Sequence, residues 1–117
     1  MTTQPFAIIE DDFADGTYKF ALNWELAGEW EKTNGSLYAT LLHTTRTGIV
    51  NLNDAREILR LGLIGGGTAP KDALRLIRTY VENRPAAENF ELVVRVMDAF
   101  FHGNGVPEVD GDEPTDG

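Results

Sequence analysis

Apolar residues recur along this chain at two different periods, and the change of period divides it. Near the N-terminus Tyr18, Phe20 and Leu22 alternate with Thr17, Lys19 and Ala21, a period of two. "FAIIE" precedes them, and "DDFADG" lies between, with Asp15-Gly16 as turn chemistry. This pattern predicts a β-hairpin with strands over 6–10 and 17–22. An isolated hairpin is marginal in water, so its apolar face is expected to lie on helices.

From Asn23 onward the spacing becomes helical. Asn23 can cap a first helix over 24–33, in which Trp24, Ala27 and Trp30/Glu31 follow the period, with Leu26 beside them. Asn34-Gly35 ends it, because both residue types tolerate a left-handed backbone. Ser36 can cap a second helix over 37–46, with Leu37/Tyr38, Leu41 and Leu42 inward, until Thr47-Gly48 breaks it. "IVNL" reads as extended. Asn53 or Asp54 is expected to cap a third helix, since Asp54 with Glu57 fits a capping box. Its inward stripe is Ile58, Leu59 and Leu61/Gly62, and "IGGG" stops it. Thr68 as cap and Pro70 in the first turn open a fourth helix with Ala73, Leu74, Ile77, Tyr80 and Val81 inward. A fifth helix over 86–102 carries Phe90, Val93, Val94, Met97, Phe100 and Phe101, widened by Leu92 and Val96, and reads as the most buried. His102-Gly103 closes it. The fold class is therefore α+β, mainly α: an N-terminal β-hairpin followed by about five short helices.

Composition adds boundaries to this picture. The 117 residues suffice for one small domain, placed at 1–103. Residues 104–117 are Gly, Pro and acid with almost nothing apolar, and read as a disordered acidic tail. The absence of cysteine removes disulfides, thiolate metal sites and cysteine nucleophiles, and fits a cytoplasmic setting. No apolar run approaches the roughly 20 residues that span a bilayer, and no signal peptide is visible at the N-terminus. The net charge of −9 is uneven: residues 46–84 carry seven Lys/Arg against four Asp/Glu, whereas Glu10, Asp11, Asp12 and Asp15 crowd the hairpin. An acidic protein lacks the cations that neutralise phosphates, which argues against general nucleic-acid affinity.

The run Gly65-Gly66-Gly67 raises the question of phosphate binding. A phosphate loop needs Lys-Ser/Thr after its last glycine and a strand before it. Here Thr-Ala-Pro-Lys follows and a helix precedes, and no dinucleotide fingerprint is present. The run reads instead as a helix junction, with Gly65 ending the third helix in a left-handed conformation and its neighbours letting the fourth turn back closely. Helix-turn-helix DNA binding through Lys71, Arg75 and Arg78 is opposed by the net charge and by Asp72 and Glu82 on the same helix. His43, at the edge of an apolar stripe, reads as packed or hydrogen-bonded. His102 falls in a last helical turn, where a cation suits the dipole. Neither forms a metal or triad pattern, and no catalytic, cofactor-binding or metal site is assigned. Of Trp24 and Trp30, at least one is expected in the core, and an exposed one is a candidate partner anchor.

The order of these segments is specific. "LAGEWEKTNGSLYATL", then "REILRLGLIGGG", then "TAPKDALRLIRTYV" and "FELVVRVMDAFFHG" resembles the small proteins encoded in the tail modules of gene transfer agents and long-tailed phages. Gly62, Leu63, Gly65, Gly66, Gly67 and Pro70 carry that family's Gly-Leu-x-Gly-Gly-Gly signature and the following Pro-started helix, and the resemblance covers residues 6–103. It implies a non-enzymatic tail assembly chaperone without cofactor. Such a chaperone would coat the tape measure protein in many copies, or as a homo-oligomer, and help tail tube subunits polymerise around it. Members are also labelled tail tube proteins, so a structural tube subunit is the alternative, with a helix-turn-helix regulator behind it. Trp24, Trp30, Arg75 and Arg78 are the candidate partner-binding residues.

Overall fold

The computed structural model describes residues 7–103, so the acidic segment 104–117 and the start of the expected first strand lie outside the described residues. Two strands, β1 (Ile9–Phe13) and β2 (Gly16–Phe20), are followed by α1 (Trp24–Asn34), α2 (Leu37–Thr47), α3 (Leu52–Gly65) and α4 (Pro70–Tyr80). A 3₁₀ turn (Ala86–Asn89) then leads into α5 (Phe90–His102). The class is α+β, mainly α, as the hydrophobic pattern requires.

The hairpin is shifted from its expected register. Ile9 stands opposite Phe20 and Phe13 opposite Gly16, so the two-residue turn is Ala14-Asp15 rather than Asp15-Gly16. The acidic residues Asp11 and Asp12 thus belong to a strand. Phe13 explains why: drawn into the strand, it falls on the same face as Ile9, and both are buried. There it meets Phe20 edge-on, with ring centroids 5.3 Å apart. The cost is a positive φ of 58° at Ala14, where glycine would be unstrained.

Local capping chemistry sets most helix ends. The Asn23 side chain accepts from the Leu26 N–H at 2.8 Å, and the Ser36 hydroxyl accepts from Ala39 N–H at 3.0 Å. Gly35 and Gly48 end α1 and α2 with φ of 84° and 75°. The expected cap of α3 is corrected. Asn51 caps it, accepting from the N–H groups of Asn53 and Asp54, so the helix starts earlier than an Asn53 or Asp54 cap allows. Thr68 likewise does not cap α4. Ala69 occupies that position without a side-chain bond, and Pro70 at the first helical residue sets the entry angle.

One hydrophobic cluster draws from both strands and from α1 to α5, with Phe20, Leu37, Ile58, Leu59, Leu63, Ile77 and Met97 fully buried. Its centre is α3, which packs against β2, α1, α4 and α5. α3 buries Ala55, Ile58, Leu59, Leu61, Gly62 and Leu63. α5, expected to be the most buried helix, buries Leu92, Val93, Val96, Met97 and Ala99 and leaves Phe90, Val94, Phe100 and Phe101 at the margin. On α4 the inward residues are Ala73, Leu76 and Ile77, and Leu74 is exposed. On α2, Leu37, Leu41 and Thr44 face in, whereas Tyr38 and Leu42 face out.

Gly28 lies exposed within α1, and a Cβ built there meets no atom within 4 Å. Gly28→Ala is expected to raise stability by about 0.5–1 kcal/mol, because alanine restricts the unfolded chain and suits the helix. A urea midpoint at or below that of the parent would show that this position has another constraint.

Candidate functional site: a glycine joint, an aromatic strip and a basic helix face

The glycine joint holds the hairpin onto the helices. As β2 ends, the Ala21 N–H donates to the Gly62 carbonyl at 2.9 Å, so strand exit and α3 touch backbone to backbone. A Cβ on Gly65 would stand 1.8 Å from the Ala21 carbonyl oxygen, and one on Gly66 would stand 2.0 Å from that of Lys19. Only glycine permits this approach. Gly62 is less constrained, with Val96 Cγ1 at 3.3 Å, and Leu63 is fully buried. The left-handed residue is Gly67, at φ 114°, not Gly65, which remains within α3. The close approach is to β2 rather than to α4. The amides of Gly66, Gly67 and Thr68 already donate to the carbonyls of Gly62, Ile64 and Leu63, so they are engaged within the joint rather than aimed at an anion.

The two tryptophans separate completely. Trp30 is 2% exposed and belongs to the core, whereas Trp24 is 85% exposed. Trp24 begins an aromatic strip that sequence periodicity did not reveal. Its ring centroid lies 6.4 Å from that of Phe100. Phe100 lies 5.0 Å from Phe101, and Phe101 lies 4.9 Å from Tyr38. The edge-on contacts join α1, α2 and the end of α5 into one surface. Leu42, one helical turn beyond Tyr38 and 41% exposed, extends it. His102 caps the strip's end, with Nδ1 2.8 Å from Asp98 Oδ1 and its ring beside Tyr38. His43, expected to be packed or hydrogen-bonded, is exposed on α2.

Lys71, Arg75 and Arg78 lie at i, i+4 and i+7 on α4, opposite its buried Ala73, Leu76 and Ile77. All three are exposed, and none has a carboxylate partner among the described residues. Five other cations are paired, including Arg60 with Glu57 at 2.7 Å and Arg95 with Asp11 at 2.6 Å, whereas Lys19 and Arg46, like the α4 stripe, form no ion pair among the described residues. Arg75 lies near enough to Tyr18 for its charge to act on that phenol. The Tyr18 pKa is nonetheless raised, chiefly by the hydrogen bond its hydroxyl donates to Asp15. Burial raises the Asp54 carboxyl as well.

A cleft of about 390 Å³ between the start of α3, the end of α4 and the 3₁₀ turn is lined by Leu52, Arg56, Glu82 and Phe90. Its central charges neutralise each other, with Arg56 3.2 Å from Glu82. Among the described residues no group of three His, Asp or Glu side chains could hold a metal, and no helix is long and apolar enough to cross a membrane.

Comparison with curated proteins and with solved structures gives no match. Residues 8–103, from the hairpin through the glycine joint to the end of α5, match the family described as phage tail tube protein, GTA-gp10, and the chain belongs to that family.

Proposed function

We propose that this tail protein is an assembly chaperone, non-enzymatic, which binds the tape measure protein during tail morphogenesis. The observation that carries this reading is the strip Trp24–Phe100–Phe101–Tyr38 on a helical scaffold. A long helical partner with apolar stripes would dock on such a strip as a helix in a shallow groove. Trp24 held in water is a large apolar surface awaiting cover, and tryptophan is the residue type most often dominant at interfaces. The charge of −9 would keep a coated partner soluble. Binding in many copies, and release before the tube is complete, follow from the same reading.

The family's description favours a second reading, a subunit of the tail tube itself. Tube subunits are β-rich, with strands that build a ring, whereas among the described residues the sheet is a two-stranded hairpin. Co-expression with a tape measure protein, affinity capture and sizing of the complex separates the two. Multi-copy co-elution that keeps the partner soluble is expected. Self-assembly into rings or tubes without capture would establish the tube subunit instead.

A further inference from the structure

We propose that the free edge of β1 takes up an extended segment of a partner protein as a third strand, one that carries Lys or Arg at alternate positions. The sheet has two strands among the described residues, so each has one edge without a neighbouring strand. On β2 that edge is covered. The Ala21 N–H donates to the Gly62 carbonyl at 2.9 Å. The Lys19 carbonyl oxygen lies so close to Gly66 that a Cβ there would stand 2.0 Å from it. The glycine joint therefore closes the β2 side.

The same two contacts fix the phase of the ladder. In an antiparallel pair, residues that bond to the strand opposite alternate with residues whose N–H and C=O point away from it. Lys19 and Ala21 point toward α3, so Glu10, which stands opposite Lys19, turns its own backbone groups to the far side of β1. Asp12, two residues on, does the same: its N–H donates to Asp11 Oδ1 at 2.8 Å. Among the described residues no backbone bond joins Glu10 or Asp12 to a helix or loop. These outward groups are the ones an added strand engages.

The side chains of the same two residues specify the occupant. Strand alternation buries Ile9 and Phe13 and turns Glu10 and Asp12 outward, where both are exposed. Neither forms an ion pair among the described residues, although Lys19 stands opposite Glu10. Asp12 accepts only a neutral donor, the Thr17 hydroxyl at 3.0 Å. By contrast Asp11, on the inner face, is held by Arg95 of α5. Pairing of β1 with β1 of a second copy would bring Glu10 and Asp12 of both chains together, and like charges on neighbouring strands repel. A strand with Lys or Arg at alternate positions sets a cation beside Glu10 and Asp12 instead. Its intervening residues fall on the side of Ile9 and Phe13, where apolar ones continue the buried row. The contact uses β1 and not the aromatic strip of α1, α2 and α5, so it stands or falls separately from the capture of a tape measure protein.

Nuclear magnetic resonance of the full chain, titrated with an end-capped peptide of alternating lysine and valine, tests it. The peptide is expected to bind, to shift the resonances of β1 and to slow hydrogen exchange at the Glu10 amide. The same peptide N-methylated along its backbone keeps its charges but has no N–H to donate, and is expected to bind about tenfold or more weakly. Glu10→Lys/Asp12→Lys is expected to lose the lysine peptide by a similar factor and to take up a glutamate–valine peptide in its place, a gain that an unfolded variant could not show. Trp24→Ala is expected to bind the lysine peptide as the parent does. No binding by the parent overturns the proposal. Equal binding of the N-methylated peptide would reduce the contact to charge attraction and overturn it as well. Shifts confined to the aromatic strip, or a dimer formed through β1 without peptide, would place another occupant or another site there and equally overturn it.

Discussion

Gly65→Ala is expected to remove about 4 kcal/mol or more of folding stability, which is most of what a protein of this size holds. The new Cβ would be 1.8 Å from the Ala21 carbonyl oxygen. No rotamer relieves that overlap, because both partners are fixed by backbone: α3 on one side and the exit of β2 on the other. Ordinary overpacking costs about 1–3 kcal/mol where side chains can yield. Here the strand exit itself must move, which also breaks the Ala21–Gly62 hydrogen bond and strands its donor or acceptor at about 1–3 kcal/mol more. Gly66→Ala should behave alike, with 2.0 Å to the Lys19 carbonyl oxygen.

The neighbours provide the contrast. Gly67 has open space around it, so Gly67→Ala costs only the backbone strain of its positive φ, about 1–3 kcal/mol. Gly62→Ala meets the side chains of Val96 and Phe20 at 3.3 and 3.4 Å and has the smallest effect of the four. Urea denaturation across the series checks the order. A Gly65→Ala protein within about 0.5 kcal/mol of the parent would mean that the hairpin does not sit on α3 as described.

The tryptophans are expected to divide stability from binding. Trp30→Ala should cost about 3–5 kcal/mol, as truncation of a buried aromatic residue does. Trp30→Phe should recover most of that, because the buried Trp30 indole N–H has no hydrogen-bond partner among the described residues, so removing it breaks no such bond within the protein. Trp24→Ala should leave the urea midpoint almost unmoved, since the side chain is 85% exposed. In the proposed chaperone the same change should weaken binding to the tape measure protein about 30-fold, the loss expected of a central aromatic anchor worth about 2 kcal/mol. Unchanged capture by Trp24→Ala would remove the aromatic strip as the docking surface. Loss of both folding and capture in Trp24→Ala would show that Trp24 is structural instead.

Much of the local structure was legible because its causes are local. Asn23 and Ser36 announce helix starts because their side chains bond to N–H groups three residues on. Gly35 and Gly48 announce helix ends because a left-handed residue is needed there. The misplaced caps of α3 and α4 are near misses of the same kind. Several polar residues compete around Asn51, and at Ala69 Pro70 makes the entry without a side-chain bond.

The candidate site was less legible. Periodicity placed Tyr38, Leu42, Phe100 and Phe101 inward because an apolar stripe has no visible edge in sequence. The edge is set by where neighbouring helices stop. Tyr38 and Phe101 found each other across α2 and α5, forming a surface rather than a core. The unpaired state of Arg75 and Arg78 depended equally on which carboxylates the fold brought near. Glu57 and Glu82 came to Arg60 and Arg56, and among the described residues none came to α4's outer stripe.

The sequence by itself determined the class of the fold, the number and order of its elements, most of their ends, and the family signature of Gly62, Leu63, Gly65, Gly66, Gly67 and Pro70. These rest on alternation, on helical spacing and on bonds between near neighbours along the chain. The tertiary structure alone decided that Trp30 lies inside and Trp24 outside. It also decided that Phe13 pulls the acidic strand into register, and that Gly65 and Gly66 are glycine because β2 passes against them. Each of these is set by the approach of segments distant in sequence, where the available space depends on a backbone that no local pattern encodes.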